Sequence, residues 1–345
     1  MAPANTPTIS IIVPVYNGRD KFRRCLLSLM ATNPGPDEII VVADGDTDGS
    51  WRLAQESGAR VLRINMSEGP ARARNVGSHC AKGEILFFVD ADVAVPPDAV
   101  GQMSAVFQQK PDLAAVFGSY DDRPFETNFL SQYRNLFHHY VHQTAKEEAA
   151  TFWGACGAIR REVFLKMGGF DEGYRRPSIE DIELGYRLKR AGYRIRLLKG
   201  LTVTHLKRWD VLMLLKADFF YRALPWTRLL LREGRFDNDL NLKITSRISV
   251  ILAYLLLLIF TGSLFLPWLL IAAAGMMGGL LVLNWDVYRF FKTKRGLVFA
   301  LKTIPWHWFY YLYSGLAFAV GYAGFKLKKT REAARHALIP KRYHK

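Results

Sequence analysis

The stretch Glu84-Ile85-Leu86-Phe87-Phe88-Val89-Asp90-Ala91-Asp92-Val93 decides the fold. Glu84 to Val89 form an apolar, β-rich run, which reads as a strand of a largely parallel sheet. Asp90 and Asp92 follow directly at its carboxyl end, and their spacing lets two carboxylates leave an extended chain on one side. Carboxylate oxygens so placed suit Mg²⁺ or Mn²⁺ bound to a diphosphate. Aspartate is also an ordinary turn residue, so the pair alone leaves a plain loop as the alternative.

Outward from this run, similar apolar stretches lie at Thr8 to Val15, Glu38 to Val42, Arg60 to Ile64 and Leu113 to Phe117. Helical patterns at Arg19 to Met30, Asp48 to Ser57, Pro70 to Ala81 and Asp98 to Gln109 alternate with them. That order predicts an α/β domain over residues 1–208, Rossmann-like, with a largely parallel sheet. Ligands of such sheets sit beyond the carboxyl ends of the strands, where Pro14-Val15-Tyr16-Asn17-Gly18 and Asp44-Gly45-Asp46-Thr47-Asp48-Gly49-Ser50 are found. Gly69-Pro70-Ala71-Arg72-Ala73-Arg74-Asn75-Val76-Gly77 opens a helix with proline in its first turn, where free N–H groups and the dipole favour anions. Arg72 or Arg74 can then face a nucleotide, or lie solvated on an amphipathic helix.

In their order and separations, SIIVPVYNG, VVADGDTDGS, EGPARARNVG, FFVDADV, FWGACGAIRREVFLKMGGFDE and IEDIELGYRLKRAGYRI resemble the motifs of the family-2 inverting nucleotide-sugar glycosyltransferases of the A-type fold. The likeness covers roughly residues 8 to 209. It implies that Pro14, Tyr16, Asn17 and Asp44 hold the nucleotide-sugar, that Arg74 lies near the base, and that Asp90 and Asp92 bind ribose and metal. The second motif departs from the usual Asp-Asp-Gly-Ser in having Ala43 and Asp46. Asp181, in Ser178-Ile179-Glu180-Asp181, resembles the catalytic base of the family. Its local rival is a capping box between Ser178 and Asp181, ahead of a helix ended by Lys189, Arg190 and Gly192, with Glu180 as a helix N-terminal charge.

His205-Leu206-Lys207-Arg208-Trp209 resembles the Gln/Arg-x-x-Arg-Trp element of processive polysaccharide synthases and ceramide glucosyltransferases, with histidine replacing the first residue. The likeness implies His205 as a third metal ligand through a neutral nitrogen, with Arg208 and Trp209 at the nucleotide-sugar and Arg208 neutralising the leaving diphosphate. A lone histidine after a strand is otherwise structural. His138, His139 and His142 contain an i, i+4 pair but no HExxH glutamate or cysteine partner, and read as a polar helix face.

The composition changes near residue 247. Ile248 to Trp285 holds 38 residues without a charge, which as one helix would reach about 57 Å against a hydrocarbon core of about 30 Å. Gly262, Ser263 and Pro267 offer a turn, so 248–283 is expected to be a transmembrane helical hairpin. The segment 209–247 reads as interfacial amphipathic helices, because Phe219, Phe220, Tyr221 and Trp226 interleave with Lys216, Arg222, Arg228 and Arg232 next to membrane spans. A nucleic-acid surface is the rejected alternative. Residues 286–303 read as a basic interfacial linker helix, 304–325 as a third span opening on an aromatic belt, and 326–345 as a polybasic tail of net charge +7. Three crossings from a cytoplasmic start would put that tail outside, against the positive-inside rule, unless the third segment is re-entrant.

The rest of the composition agrees. Among 345 residues 50% are hydrophobic and the net charge is +16, which excludes a disordered chain and suits anionic partners. Cys25, Cys80 and Cys156 lie apart without CxxC spacing, which excludes a disulfide framework or zinc knuckle and reads as free thiols. The start MAPANTPTIS lacks the pattern of a secretory signal. The expectation is therefore a metal-dependent, inverting hexosyltransferase, multi-pass in the inner membrane with its catalytic domain cytoplasmic. It would use a nucleotide-sugar, a UDP-sugar first, and a lipid or lipid-linked acceptor hydroxyl, with anionic lipid headgroups as partners of the basic linker and tail. A polyprenyl-phosphate glycosyltransferase, a processive polysaccharide synthase and an inactive membrane scaffold are the alternatives.

Overall fold

The chain is described by a computed structural model covering residues 6–234 and 243–338. It divides into two compact units, the first ending at Val211 and the second beginning at Leu212. Residues 235–242 of the expected interfacial segment, and the side chains of Arg335, Lys341, Arg342 and Lys345 in the basic tail, lie outside the described residues.

In the first unit, strands β1 (Ile9–Val15), β2 (Glu38–Asp44), β3 (Arg60–Ile64) and β4 (Ile85–Val89) run parallel in the order β3-β2-β1-β4. The sheet then continues through β7 (Cys156–Arg160), β6 (Leu113–Tyr120), β8 (Arg194–His205) and the two-residue β5 (Val93–Ala94). The alternation of apolar runs therefore forms a parallel half as expected, but the whole sheet is mixed. β7 is antiparallel to both β4 and β6, and β5 is antiparallel to β8. The β7 run, Cys-Gly-Ala-Ile-Arg, is short and interrupted by glycine, which hid it from a reading based on long apolar runs. Gly157 there is a packing requirement, since a Cβ would stand 2.5 Å from the Phe152 ring.

β1 shows why the central strands carry no polar alternation. Ile9, Ile11, Val13 and Val15 join one core with Phe22, Leu26 and Leu29 of α1 (Arg19–Met30) and with Val100 and Met103 of α4 (Ala99–Gln109). The opposite face meets α3 (Pro70–Cys80), where Gly77 brings that helix close: a Cβ would lie 2.7 Å from Ile12 Cγ2 and 3.1 Å from Val42 Cγ2. Farther along that face Phe88 packs its ring against Phe152, Phe164 and Phe170. With both faces covered, the sheet offers ligands only its ends. Because β7 is antiparallel, its entry at Trp153–Cys156 reaches the same rim as the exits of β1, β2 and β4.

In the second unit, α8 (Val211–Lys216) passes through a π-helical stretch, Ala217–Ala223, into α9 (Leu224–Glu233). α10 (Ile244–Ser263) and α11 (Leu269–Leu283) pack against each other as a hairpin, joined by bonds from Leu264, Phe265 and Leu266 around Gly262 and Pro267. Among the described residues one helix, α10, is long and apolar enough to cross a membrane. The number is two if α11 and α12 (Trp285–Arg295), bent by 65° at their junction, form one span. The expected third span, 304–325, does not stand alone. It is the middle of α13 (Leu297–Leu338), a helix of 42 residues with Pro305 inside, and its tyrosines, tryptophans and histidine hold its hydropathy down. The basic linker is likewise two helices, split at Gly296 (φ 82°). Asn284 ties the bundle: its Nδ2 donates to Ser249 Oγ at 3.0 Å and its Oδ1 accepts from Tyr311 Oη at 2.6 Å.

The approach of the 67–69 loop to the 171–177 segment gives a quantitative test of the first unit. Gly69 has φ +100°, and a Cβ would stand 2.6 Å from the backbone of Arg175, whereas Gly58 has φ +81° and open space. Gly69→Ala should lower stability by about 2–4 kcal/mol and Gly58→Ala by only about 1 kcal/mol, read from urea midpoints of the full chain. Equal losses would show that the contact with Arg175 is immaterial.

Candidate active site

Four loops meet at the rim. Tyr16, after β1, is 59% exposed, and Pro14 is half-buried. Asn17 adopts φ 51° and turns its Oδ1 to the Thr47 N–H at 2.8 Å. The Gly18 N–H donates to Ser50 Oγ, and the Arg19 N–H donates to Asp48. Asp46 accepts from the Trp51 N–H, so the residue that departs from the usual motif serves the start of α2 (Ser50–Glu56). Asp44 is buried, and its carboxylate accepts from the N–H groups of Glu68 and Gly69, both at 2.8 Å, and from Ser67 Oγ at 3.0 Å. Asp44 thus holds the loop that enters α3, and Gly45 (φ 69°) lets that loop pass within Cβ distance of Ser67 N.

Arg74 departs most from the sequence reading. It is neither solvated nor open to a nucleobase. Its side chain is 5% exposed and lies between two carboxylates, with Nη2 donating to Asp90 Oδ1 at 2.6 Å and Nη1 to Glu180 Oε1 at 2.9 Å. Its guanidinium also stands over the Phe170 ring. Helical spacing explains the difference from Arg72, which lies two positions away on the exposed face and pairs there with Glu68 and Glu172. Glu180, buried with Arg74, returns its other oxygen to the Ser178 N–H.

Asp181 begins helix α7 (Glu180–Arg190) and is partly buried at the rim. The rival capping box between Ser178 and Asp181 does not form, because Ile179 occupies the cap position and Asp181 turns across the site. Its Oδ2 accepts from the Gly154 N–H at 2.9 Å and its Oδ1 from the Ile182 N–H at 2.8 Å. Gly154 fits between Asp181 and Arg74, since a Cβ there would be 3.5 Å from each. Desolvation, then the negative charge of Glu180, push the Asp181 carboxyl up to about 6, against the pull of the two amides and Arg74. A carboxyl group so poised is ionised at neutral pH and still basic enough to accept a proton.

Asp92 and His205 are brought together by strand pairing. β5 pairs with the end of β8 in the register Val93↔His205, and the Leu206 N–H donates to Asp92 O at 2.8 Å. His205 Nε2 then lies 3.9 Å from Asp92 Oδ2. Burial, followed by the charge of Lys207, pushes the imidazole down to about 3, so the ring is neutral and carries a free lone pair. Two donors at about 2.1 Å from one divalent ion stand roughly 3–4 Å apart, so this pair fits Mg²⁺ or Mn²⁺. Asp90, 31% exposed, is adjacent but engaged by Arg74, and among the described residues no three such groups are already gathered around a point.

The remaining expected residues have other partners. Arg208 is exposed and reaches Glu126 at 3.2 Å. Trp209 is buried, with its N–H donating to Ser131 Oγ and its carbonyl accepting from Asn128. His138, His139 and His142 do not form a polar face. α5 (Phe129–Gln143) turns them against β6 and Trp153, with His138 and His142 rings 5.2 and 5.3 Å from Trp153 and His139 Nδ1 bonded to Tyr120 O. Tyr120 completes this wall by stacking on His205 at 4.3 Å. Tyr120, Trp153 and Gly154 were not singled out in the sequence. Trp153 and Gly154 stand inside the quoted FWGACG motif, but the part they take at the rim shows only once β7 is known to run antiparallel.

Comparison with known proteins bears on the fold and its family. Residues 10–168 match the model of glycosyl transferase family 2, and residues 134–209 match that of the N-terminal domain of galactosyltransferase. An uncharacterized glycosyltransferase of Haemophilus influenzae is 27% identical over 195 residues, 52% of this chain and 61% of that protein. The validoxylamine A glucosyltransferase of Streptomyces hygroscopicus subsp. limoneus is 25% identical over 272 residues, 65% of this chain and 58% of that protein. The chain thus spans less than two thirds of the length of these relatives. Mannosyltransferase PcManGT from Pyrobaculum calidifontis, solved with GDP-Man and Mn²⁺, superposes with a TM-score of 0.58 at 19% identity, covering 92% of this chain and 88% of that one. S. aureus TarS 1-349, solved with UDP-GlcNAc, gives a TM-score of 0.50 at 20% identity over 66% of each chain. These are likenesses of fold.

The two arginines of α3 should differ sharply on truncation. Arg74→Ala strands Glu180 in the interior and should lower stability by about 3–5 kcal/mol, whereas Arg72→Ala, whose pairs are some 40% exposed, should change it by about 0–1 kcal/mol. Urea titrations of the full chain report both. Similar midpoints for the two variants would contradict the burial of the Arg74 pairs.

Proposed function

We propose, from the match of residues 10–168 to the glycosyl transferase family 2 model, that this chain transfers a sugar from a nucleotide-sugar, with a UDP-sugar as the first donor to test, to a hydroxyl of a lipid or lipid-linked acceptor, with inversion at the anomeric carbon. The observation that carries the reading is the convergence of Asp90, Asp92, His205 and Asp181 on one sheet rim, with Asp181 held near neutral pKa. Tyr16 offers an exposed ring to the nucleoside beside Pro14 and Asn17, while Asp44 shapes the floor through the 67–69 loop. A divalent ion, Mg²⁺ or Mn²⁺, would be held by Asp92 and His205 with Asp90, and would stabilise charge on the departing diphosphate. Arg208, exposed and paired with Glu126, would assist there. Asp181 takes the proton of the attacking hydroxyl, and its bonds from Gly154 and Ile182 fix the direction of the carboxylate.

A base of pKa about 6 favours a hydroxyl acceptor over a phosphate, which is already ionised and hardly needs proton removal. Asp181→Asn should slow single-turnover transfer by about 10²–10⁴ while UDP binding is retained. Since the base must be unprotonated, transfer by the unaltered chain should fall as pH drops through about 6, and that limb should vanish in the variant. Asn cannot accept from both the Gly154 and Ile182 amides, so a loss of about 1 kcal/mol in stability accompanies the change. Near-normal transfer by the folded variant would move the reading to a phosphate acceptor, and activity unaltered in EDTA would remove the metal.

We further propose that the second unit anchors the enzyme in the membrane, with the catalytic domain on the cytoplasmic side. Support comes from α10, from the bent pair α11 and α12, and from their outward apolar surface, where Leu258, Ile271 and Val282 are 66 to 79% exposed. α12 carries Arg289, Lys292, Lys294 and Arg295 among aromatic residues, a composition suited to an anionic headgroup layer. The intact chain should remain in the membrane pellet through carbonate extraction. Its release into the supernatant would refute the anchor.

A further inference from the structure

Arg74 touches both halves of the proposed site. Its Nη2 holds Asp90, on the strand end where the donor's metal is proposed to sit, and its Nη1 holds Glu180, the residue next to the proposed base. The three side chains come from α3, the exit of β4 and the start of α7, which are joined here without a solvent gap: Arg74 and Glu180 are 4% exposed. Arg74 Nε is buried without a hydrogen-bond partner, so the charge of this guanidinium is shared between those two carboxylates. Gly154 lies against both the guanidinium and Asp181, leaving no side chain to screen one from the other.

We propose that Arg74 is a positioning residue that couples the two halves of the site, so that the charge state around α7 sets the affinity for a divalent cation at Asp90 and Asp92. This inference rests on the metal reading given above and deepens it. One buried cation serves two anions. When a divalent ion engages Asp90, it competes with Arg74 for that carboxylate, and Glu180 is what can accept the displaced positive charge. Removing the charge of Glu180 leaves Arg74 to Asp90 alone, and the guanidinium then opposes the metal. The relation is reciprocal: metal at Asp90 strengthens the hold of Arg74 on Glu180 and so steadies the first turn of α7, which carries Asp181. A donor-loaded site would thereby present a better-fixed base than an empty one.

The test is Mn²⁺ binding alone, followed by electron paramagnetic resonance on the full chain in detergent, with melting temperature measured on the same samples. Glu180 is not a proposed metal ligand, yet Glu180→Gln should weaken Mn²⁺ binding by about five- to tenfold, at the low end of typical coupling between sites. A structural role alone would lower the melting temperature and leave Mn²⁺ affinity in the folded fraction unchanged, and that outcome overturns the proposal. In an Arg74→Lys background the effect of Glu180→Gln should disappear, because a single ammonium cannot span both carboxylates; an undiminished effect also overturns it. Should these variants fail to fold, the unaltered chain gives the answer. Mn²⁺ should slow hydrogen exchange of the Ser178 amide, which donates to Glu180, and unchanged exchange counts against the coupling. No Mn²⁺ binding by the unaltered chain would remove the metal reading and the coupling with it, whereas binding without coupling removes only the latter.

Discussion

The rim of the sheet depends on one buried guanidinium. Arg74 carries a full charge into an interior where an isolated ion would cost several kcal/mol, and it is stable there because Asp90 and Glu180 approach from opposite sides. The carboxylates need the arginine equally. Without it Asp90 and Glu180 would add to the negative potential that already raises Asp181, and the start of α7 would lose its tie to β4. Other features of the rim accommodate this grip: Gly154 leaves room beside it, Phe170 covers its face, and Asn75 on the same helix bonds the backbone on both sides of Phe170 N–H and O.

The parts of the fold legible in the sequence were those with local, repeated signals. β4 is unmistakable because five buried residues precede two aspartates, and α1 can be read to the residue because its apolar positions recur with helical spacing. Asn17, Asp44, Asp90 and Asp92 share one rim because they lie at or just past the ends of parallel strands, whereas Arg74 and Asp181 reach it from helices α3 and α7. What escaped depends on distant partners. Whether Arg74 faces solvent or a carboxylate is decided by residue 180, and Arg72, with the same local sequence around it, takes the opposite course. His138 and His142 look polar in a one-dimensional pattern, yet they pack as rings against Trp153. Tyr120 gains meaning only when β6 and β8 are known to be neighbours.

The second unit obeys a different rule. Its sequence marked the block from Ile248 to Trp285 and the turn at Gly262 to Pro267, but not the break at Gly296 that splits the basic linker between two helices. The cuts fall where backbone demands them, at the Gly262 to Pro267 turn and at Gly296. Between them, polar side chains find one another inside the bundle. Asn284 meets Ser249 and Tyr311, Trp308 Nε1 donates to Tyr288 Oη, and Tyr313 Oη donates to Asp218 in the π-helical stretch. Read one by one these residues lower the apolar character of the segment, whereas the folded bundle satisfies them in pairs.

The antiparallel placement of β7 has a consequence for how the protein comes into being. The parallel half of the sheet, through β4, is complete within the first 90 residues and can collapse around β1 as the chain emerges from synthesis. At that point the rim holds Asp44, Asp90 and Arg74 but lacks Gly154, Asp181 and His205. Those arrive only when β7 inserts beside β4 and β8 closes against β6, pairings that span from about 70 to more than 80 residues of chain. Such non-local closure is the slow part of folding. A chain extending only through β4 therefore carries Asp44, Arg74 and Asp90 without Gly154, Asp181 or His205. The complete rim is a property of the finished topology.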